Sequence, residues 1–347
     1  MSRRPGIKDV AASAGVSIKT VSRVVNEEMA VHPETRARVL HAIQALGYVP
    51  NTAARSLKSG TNGAIGIVID SLADTFFAAL VSAIERRALA EGLSVLVAST
   101  NLDPEREREL LLSFVAGHQV AGVIFAPVAA EHPYLAPFRS STPLVAVDRS
   151  RAGIDSVVVD DRGSAALAVQ QLVDLGHRRI AFFDQDERFS TIHRRMSGYL
   201  DVLNAADIDF DSELVAVNID GSLDYRSEID RVLGLDDPAT AFFASNARAA
   251  IELTTVLHRT GRQHTPMISF GDFSFADVIQ PGVSCIDQDP FLIGNAAIER
   301  LLALRESPSA EPQEWIVPTA LLQRGSGEVA PFRSAVPLPA LAEGGSR

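Results

Sequence analysis

IKDVAASAGVSIKTVSRVVN, Ile7 to Asn26, is the stretch whose reading decides the fold. Its apolar residues Ile7, Val10, Ala11 and Ala14 recur at helical spacing until Gly15, a residue that accepts the backbone of a tight turn. A second helix starts at once. Ser17 is placed to cap it; Thr20, Val21, Val24 and Val25 then form one stripe, and Ile18, Lys19, Ser22, Arg23 and Asn26 the opposite one. The second stripe is polar and basic except for its isoleucine. Two short helices joined by a short turn with glycine make a helix-turn-helix, whose second helix fits the DNA major groove. A third helix is predicted from Pro33 to Leu46, with Val39, Leu40, Ile43 and Leu46 turned inward and Gly47 as its stop. On periodicity alone, a plain helical bundle with a solvated charged face is the competing reading.

Charge separates this head from the rest. The chain of 347 residues carries a formal net charge of −11, yet its only lysines are Lys8, Lys19 and Lys58. Residues 1–60 hold nine basic and four acidic side chains, a net of +5, which leaves −16 for the remainder. A basic head on an acidic body suits a head that meets a polyanion while the body is repelled by it. The 46% hydrophobic content supports a large core, and the length suggests about two or three domains. The longest apolar runs, such as Ala64 to Ile69, are far short of a membrane span, and no apolar segment follows the N-terminal arginines, so a cytoplasmic protein without membrane contact is expected. Cys285 has no partner for an internal disulfide, and no Cys/His spacing points to a metal site. No cofactor is expected.

The motifs DVA, AGVS, TVSRV, GYVPN and ARSL, at their spacing through Gly60, resemble the head of the LacI/GalR family of bacterial transcription regulators. By that resemblance Ser17, Ile18, Lys19, Thr20, Ser22, Arg23 and Asn26 occupy recognition-helix positions, with Ile18 and Lys19 as the pair that chooses bases. Lys19 or Arg23 has the donors to read guanine O6 and N7, and Ile18 offers an apolar surface to a thymine methyl. Ser22, Asn26, Tyr48 and Asn51 suit phosphates, which position without specifying. The resemblance adds Ile7, Lys8, His32 and Thr35 to the DNA-contacting set. His32 departs from the family's usual serine, which implies a weaker cap or an altered phosphate contact.

The headpiece is expected to occupy residues 1–49 and a hinge residues 50–61. Thr52 to Lys58 are helix formers but too few to hold a helix alone in water. In the family two such segments fold together in the minor groove, so Ala54, Leu57 and Lys58 are expected there, with Leu57 wedged between base pairs. A plain linker is the alternative.

Past Gly63 the pattern becomes short apolar runs alternating with amphipathic ones. Residues 64–69, 94–98, 121–126, 180–183, 214–217, 241–244 and 267–270 read as buried strands; 77–90, 105–115, 165–175, 192–205, 249–258 and 292–304 read as helices. Such alternation implies parallel sheets with helices on both faces, and the length exceeds one compact core. The fold class is therefore α/β: a helix-turn-helix headpiece plus a two-lobed body over residues 62–327, similar to the family's periplasmic-binding-protein-like effector domain, in which the C-terminal run returns to the first lobe. Residues 328–347, rich in Pro, Gly and Ala, read as a disordered tail.

Ligands of such folds lie at the carboxyl ends of strands, between lobes. The resemblance places Phe76, Phe77, Asp148, Arg149, Arg195, Asn246, Asp272 and Gln288 around the effector. Carboxylates, amides, guanidinium forks and an aromatic face together suit a polyol or sugar. Each has a structural alternative: the phenylalanines as core, Asp148 with Arg149 as a mutual pair, Asn246 as a helix cap. Gly271 departs from the family's usual aspartate, leaving Asp272 to cover that role.

The expected function is a repressor that binds a palindromic operator as a homodimer and responds to a sugar-like effector, and the resemblance implies a central CG step in the operator. A transport receptor is opposed by the basic head. A sugar-processing enzyme using Asp148, Asp160 and Asp161 is opposed by the absence of any nucleophile, phosphate-loop or metal motif.

Overall fold

The structure, a computed structural model, describes residues 5–25, 31–48, 63–118, 120–184, 189–217, 223–307 and 311–331. The chain divides into two units, Met1–Gly63 and Ala64–Arg347.

The first unit holds helices α1 (Ile7–Ala14), α2 (Ile18–Val25) and α3 (Pro33–Leu46). The Asp9 carboxylate accepts from the Gly6 N–H at 2.7 Å and so starts α1. Gly15, at a φ of 62°, ends it in the left-handed conformation that glycine adopts without strain. The Ser17 hydroxyl accepts from the Thr20 N–H at 3.1 Å, as a cap for α2 should. Val10, Ala11, Ala14, Val21, Val24, Val39 and Ala42 form the small core, with Ile43, Leu46 and Tyr48 packed at its edge. Leu40, read as inward, is instead 51% exposed, because Ala42 supplies that part of the core.

The second unit contains two six-stranded sheets. In the first lobe the strands are β1 (Ala64–Ile69), β2 (Ser94–Ser99), β3 (Val123–Phe125), β4 (Leu144–Val147), β5 (Asp155–Val159) and β11 (Glu314–Val317), ordered β11-β5-β4-β3-β1-β2. In the second they are β6 (Ile180–Asp184), β7 (Val215–Val217), β8 (Ala241–Ala244), β9 (Met267–Phe270), β10 (Ser284–Asp287) and β12 (Ala320–Leu322), ordered β12-β10-β9-β8-β6-β7. All pairs are parallel except β10 with β12. The crossover helices are α4 (Thr75–Ala90), α5 (Pro104–Leu112), α6 (Asp161–Asp174), α7 (Ser190–Ala205), α8 (Tyr225–Leu233), α9 (Ala247–Arg259) and α10 (Pro290–Glu306). Strands β1, β4, β6, β8 and β9 are apolar and buried nearly throughout, as sheets covered on both faces require, and β5 is buried throughout although it opens on Asp155 and Ser156.

The chain passes between lobes after Val159, after Asp287 and after Val317. The C-terminal run therefore does return to the first lobe through α10 and β11, but it then leaves again for β12. The tail assigned from 328 also needs correction at its start. The Glu328 carboxylate accepts from the Ser284 hydroxyl at 2.8 Å and the Gln171 amide at 2.7 Å, and His177 Nε2 donates to the Val329 carbonyl at 2.8 Å. These half-buried acceptors fix 328–329 to the second lobe, while residues 332–347 lie outside the described residues.

Candidate functional site

Two constellations came from the sequence, one per unit. In the headpiece, α2 presents Ser17, Ile18 and Lys19 to solvent, with Ile18 45% exposed. Ser22 and Arg23 are half-buried on the same helix. Among the described residues of this unit, the exposed isoleucine and lysine take no part in the core, which leaves both for a partner surface. Thr20 is less available, since its hydroxyl lies 2.9 Å from that of Ser17. Lys8 is exposed, and Thr35 is half-buried near the start of α3. Ile7 and Tyr48 are packed against the helical core and reach any partner only at their edges. His32 makes no side-chain cap bond to α3, in line with the weaker cap expected from the loss of serine. Asn26, Asn51, Ala54, Leu57 and Lys58, and with them the hinge, lie outside the described residues.

In the body, strand order explains the cleft. The carboxyl ends of β1 and β4 flank that of β3, bringing Asp70 toward Asp148 and Arg149 although some 79 residues separate them. Arg149 is buried and donates to Asp70 at 2.6 Å; its Nε lies 3.3 Å from Asp148. Burial pushes the Asp70 carboxyl up to about 6 against the pull of Arg149. Asp148 itself sits at a φ of 66°, an uncommon backbone for a residue other than glycine. Asp74 accepts from the Phe76 N–H at 3.0 Å, capping α4, and burial raises its carboxyl too. Phe76 is half-buried, whereas Phe77 is 4% exposed and belongs to the core, its ring edge-on to Phe76.

On the second lobe the centre is Arg195, buried on α7. Its Nε and Nη2 both bond Asp161 at 2.8 Å, Nη1 donates to the Ser245 carbonyl at 2.7 Å, and the guanidinium lies 3.8 Å from the centre of the Phe270 ring. Burial lifts Asp161 to about 6 although Arg195 favours its ionised form. Asn246 caps α9 through the Ala249 N–H at 2.8 Å and donates to Asp184 at 3.2 Å, so the dull reading holds, yet the residue still lies at the end of β8. Gln288 is 8% exposed, next to Gly271. Gly271 has a φ of 92°, and a Cβ there would stand 3.2 Å from the Gln288 amide oxygen, which accounts for glycine in place of aspartate. Asp272 has both carboxylate oxygens taken by Arg324, at 2.6 and 2.7 Å, so it is engaged in that pair.

The lobes also touch directly. The Arg149 guanidinium lies 4.4 Å from the Phe189 ring centre, Arg194 donates to the Ser150 hydroxyl at 3.3 Å, and Asp74 feels the charge of Arg248 across the cleft. Asp70, Asp74, Asp161, Phe189 and Ser245 were not among the expected effector residues. A signal existed for Asp70 and Asp161, since each directly follows a strand or the residue after it. Asp70 Oδ1 and Ser245 Oγ are buried without a hydrogen-bond partner. Buried polar atoms left this way cost about 1–3 kcal/mol each, which a hydroxyl-bearing ligand would offset. The acid-base reading of Asp160 and Asp161 loses its geometry: Asp160 caps α6 through Gly163, while Asp161 faces Arg195.

Comparisons agree in both units. Residues 6–51 match the family described as bacterial regulatory proteins, lacI family, and residues 62–302 match the periplasmic binding proteins and sugar binding domain of LacI family. The ribose operon repressor of Bacillus subtilis is 32% identical over 88% of this chain and 93% of its own length. The transcriptional regulator CelR of Thermobifida fusca is 29% identical over 94% of this chain and 99% of its own. Among solved structures, the Lac repressor dimer bound to operator and the anti-inducer ONPF superposes with a TM-score of 0.79 at 25% identity, covering 94% of this chain and all of that one. A CelR-cellobiose complex superposes at 0.65 with 26% identity, covering 93% of this chain.

Proposed function

The chain belongs to the LacI family of bacterial regulatory proteins, and from that premise we propose that it is a homodimeric, cytoplasmic repressor whose hold on a palindromic operator changes when a sugar-like effector enters the interlobe cleft. It is a DNA-binding transcriptional regulator and not an enzyme. The headpiece reads bases with Ile18, Lys19 and Arg23, and the remaining polar residues of that face hold phosphates.

The observation that carries the effector reading is the Arg195 constellation. A guanidinium stacked on Phe270, bonded to Asp161 and to the Ser245 carbonyl, stands opposite Asp70, Asp148 and Arg149. Arg149 and Arg195 are each already met by a carboxylate, so the centre of the cleft favours an uncharged ligand rich in hydroxyls over a phosphorylated one. The solved relative holding cellobiose and the relative named for the ribose operon support that class. Closure on such a ligand draws together the lobes that carry Phe189 and Arg149, and linkage requires DNA and effector to influence each other's affinity equally.

The test starts with genomic fragments selected by the purified protein. The bound fragment is then titrated in the presence of neutral mono- and disaccharides and of their phosphates. A neutral sugar that shifts operator affinity at least about fivefold, with the shift lost in Asp148→Asn, is the expected result. Response only to phosphorylated compounds would reject the class, and response to none would reject the sugar reading.

A further inference from the structure

Asp148 stands on a turn that its backbone resists. Its φ is 66°, and the Arg149 N–H donates across it to the Val147 carbonyl at 2.7 Å, a form of three-residue turn that is rare because it is strained. Strain of this kind persists only where the surroundings over-determine the conformation. Asp70 supplies one restraint, since it accepts from the Arg149 guanidinium at 2.6 Å.

Arg151 supplies another. Its side chain is half-buried; Nη1 donates to the Ser150 carbonyl at 2.7 Å, Nε and Nη2 both donate to the Ala129 carbonyl at 3.1 and 2.8 Å, and Nη2 lies 3.5 Å from the Pro127 carbonyl. One guanidinium thus joins the segment that carries Asp148 and Arg149 to the loop that leaves β3. That loop is held from its other side by Glu107 of α5. The Glu107 side chain is fully buried and accepts from the Val128 N–H at 2.9 Å and the Ala129 N–H at 2.8 Å, with His132 Nε2 3.0 Å away. A cation takes the loop's carbonyls and a carboxylate its amides, so charge-assisted bonds of both signs fix the same short stretch. Topology sets this clamp beside the cleft: β3 lies between β1 and β4, so residues 127–129 leave the sheet between Asp70 and Asp148. The charge of Glu107 is accordingly felt by both Arg149 and Arg151.

We propose that Arg151 is a positioning residue for the effector: by tying the Asp148–Arg149 turn to the 127–129 loop seated on Glu107, it fixes two hydroxyl-reading groups and so sets which stereoisomer the cleft accepts. This rests on the reading of the cleft as a sugar site. A site built to bond a particular hydroxyl rejects a ligand that leaves its polar groups unpaired, and it does so only if those groups cannot follow the wrong ligand.

Calorimetric titration of the full chain with the D-aldopentoses, the D-aldohexoses and the glucose disaccharides tests it, because members of each set differ only in stereochemistry or linkage. The readout is the affinity for the best-bound sugar divided by that for its isomers, a ratio that a mere loss of stability does not move in a chain that is still folded. Arg151→Met keeps the apolar stem and should lower this ratio at least about tenfold. Arg151→Lys keeps the charge but not the fork; it should lower the ratio as well, and it carries the test alone if the methionine variant does not fold. Glu107→Gln should also lower it and, combined with Arg151→Met, should add little, because both release the same loop. Arg231→Met, which removes a guanidinium from the backbone carbonyls of Glu213 and Val215 beside α8, should leave the ratio unchanged. A parent-like ratio in either Arg151 variant would overturn the proposal while leaving the sugar reading intact, as would a parent that binds the isomers of a set equally. A parent that binds none of these sugars would overturn both.

Discussion

Single side chains divide sharply into those that read a partner and those that hold the fold. Lys19 is exposed beside Ile18 with no task in the headpiece core, so Lys19→Ala should weaken binding unevenly, by about 1–3 kcal/mol on operator variants that keep its base and by little on those that lack it. Titration across a set of mutated operators gives the answer; an equal loss on all of them makes Lys19 a phosphate contact. Under the proposed function Arg195 does both jobs. Its removal strands Asp161 in a buried site, so Arg195→Ala should cost the body roughly 3–5 kcal/mol in urea unfolding, and adding Asp161→Asn should recover part of that loss. A cost below about 1 kcal/mol would show that the pair is well hydrated. The residue scale was also where the sequence was least informative. Asp148, Arg149 and Arg195 could be named from motifs, but the partners Asp70 and Asp161 come from distant segments, and pairing across the fold leaves no local trace.

Elements were legible in proportion to how uniform their surroundings are. Helices α1 to α3 and strands β1, β6, β8 and β9 have clear periods or continuous apolar runs, and each was read near its observed limits. Strands β4, β5, β10, β11 and β12 were not read: each has only three to five residues, and β5, β10 and β11 open on Asp155, Ser284 and Glu314, polar residues that break an apolar run, Asp155 being met by the distant Arg300 at 2.8 Å. Helix α8 was missed because four of its nine residues are charged. At element ends the backbone sets two further expectations. Gly271→Ala should destabilise the body by about 1–3 kcal/mol, since its φ of 92° disfavours any side chain; an unchanged melting curve would mean that the turn relaxes. His177, buried between Thr240 and Val329, is held below its usual 6.5 by burial. Below pH 6.5 the unfolded chain therefore takes up a proton that the folded one resists, so this contribution is present above 6.5 and is lost as pH falls toward the lowered folded value. Asp70 and Asp161, raised to about 6, act in the opposite direction over an overlapping range, their contribution growing as pH falls through 6 toward 3.8. The His177 effect is therefore isolated by comparison: from pH 7 to 6 the urea midpoint of His177→Gln should change less unfavourably than that of the parent, and an identical change in both chains would assign the effect elsewhere.

For the molecule as a whole, division of labour follows from the distribution of charge and core. A net of +5 over residues 1–60 against −16 for the remainder concentrates attraction for DNA in the N-terminal part of the chain, so affinity should fall steeply and linearly with the logarithm of salt concentration. A shallow slope would mean that few phosphates are neutralised. Two independent packing units, each with its own core cluster, mean that the body can fold and sense its ligand without the head. The most direct test compares DNA retention by the full chain with retention by residues 64–347 on the same selected genomic fragment and on scrambled DNA. The account requires sequence-selective retention by the full chain and none by the body alone. Selective retention by the body would contradict it.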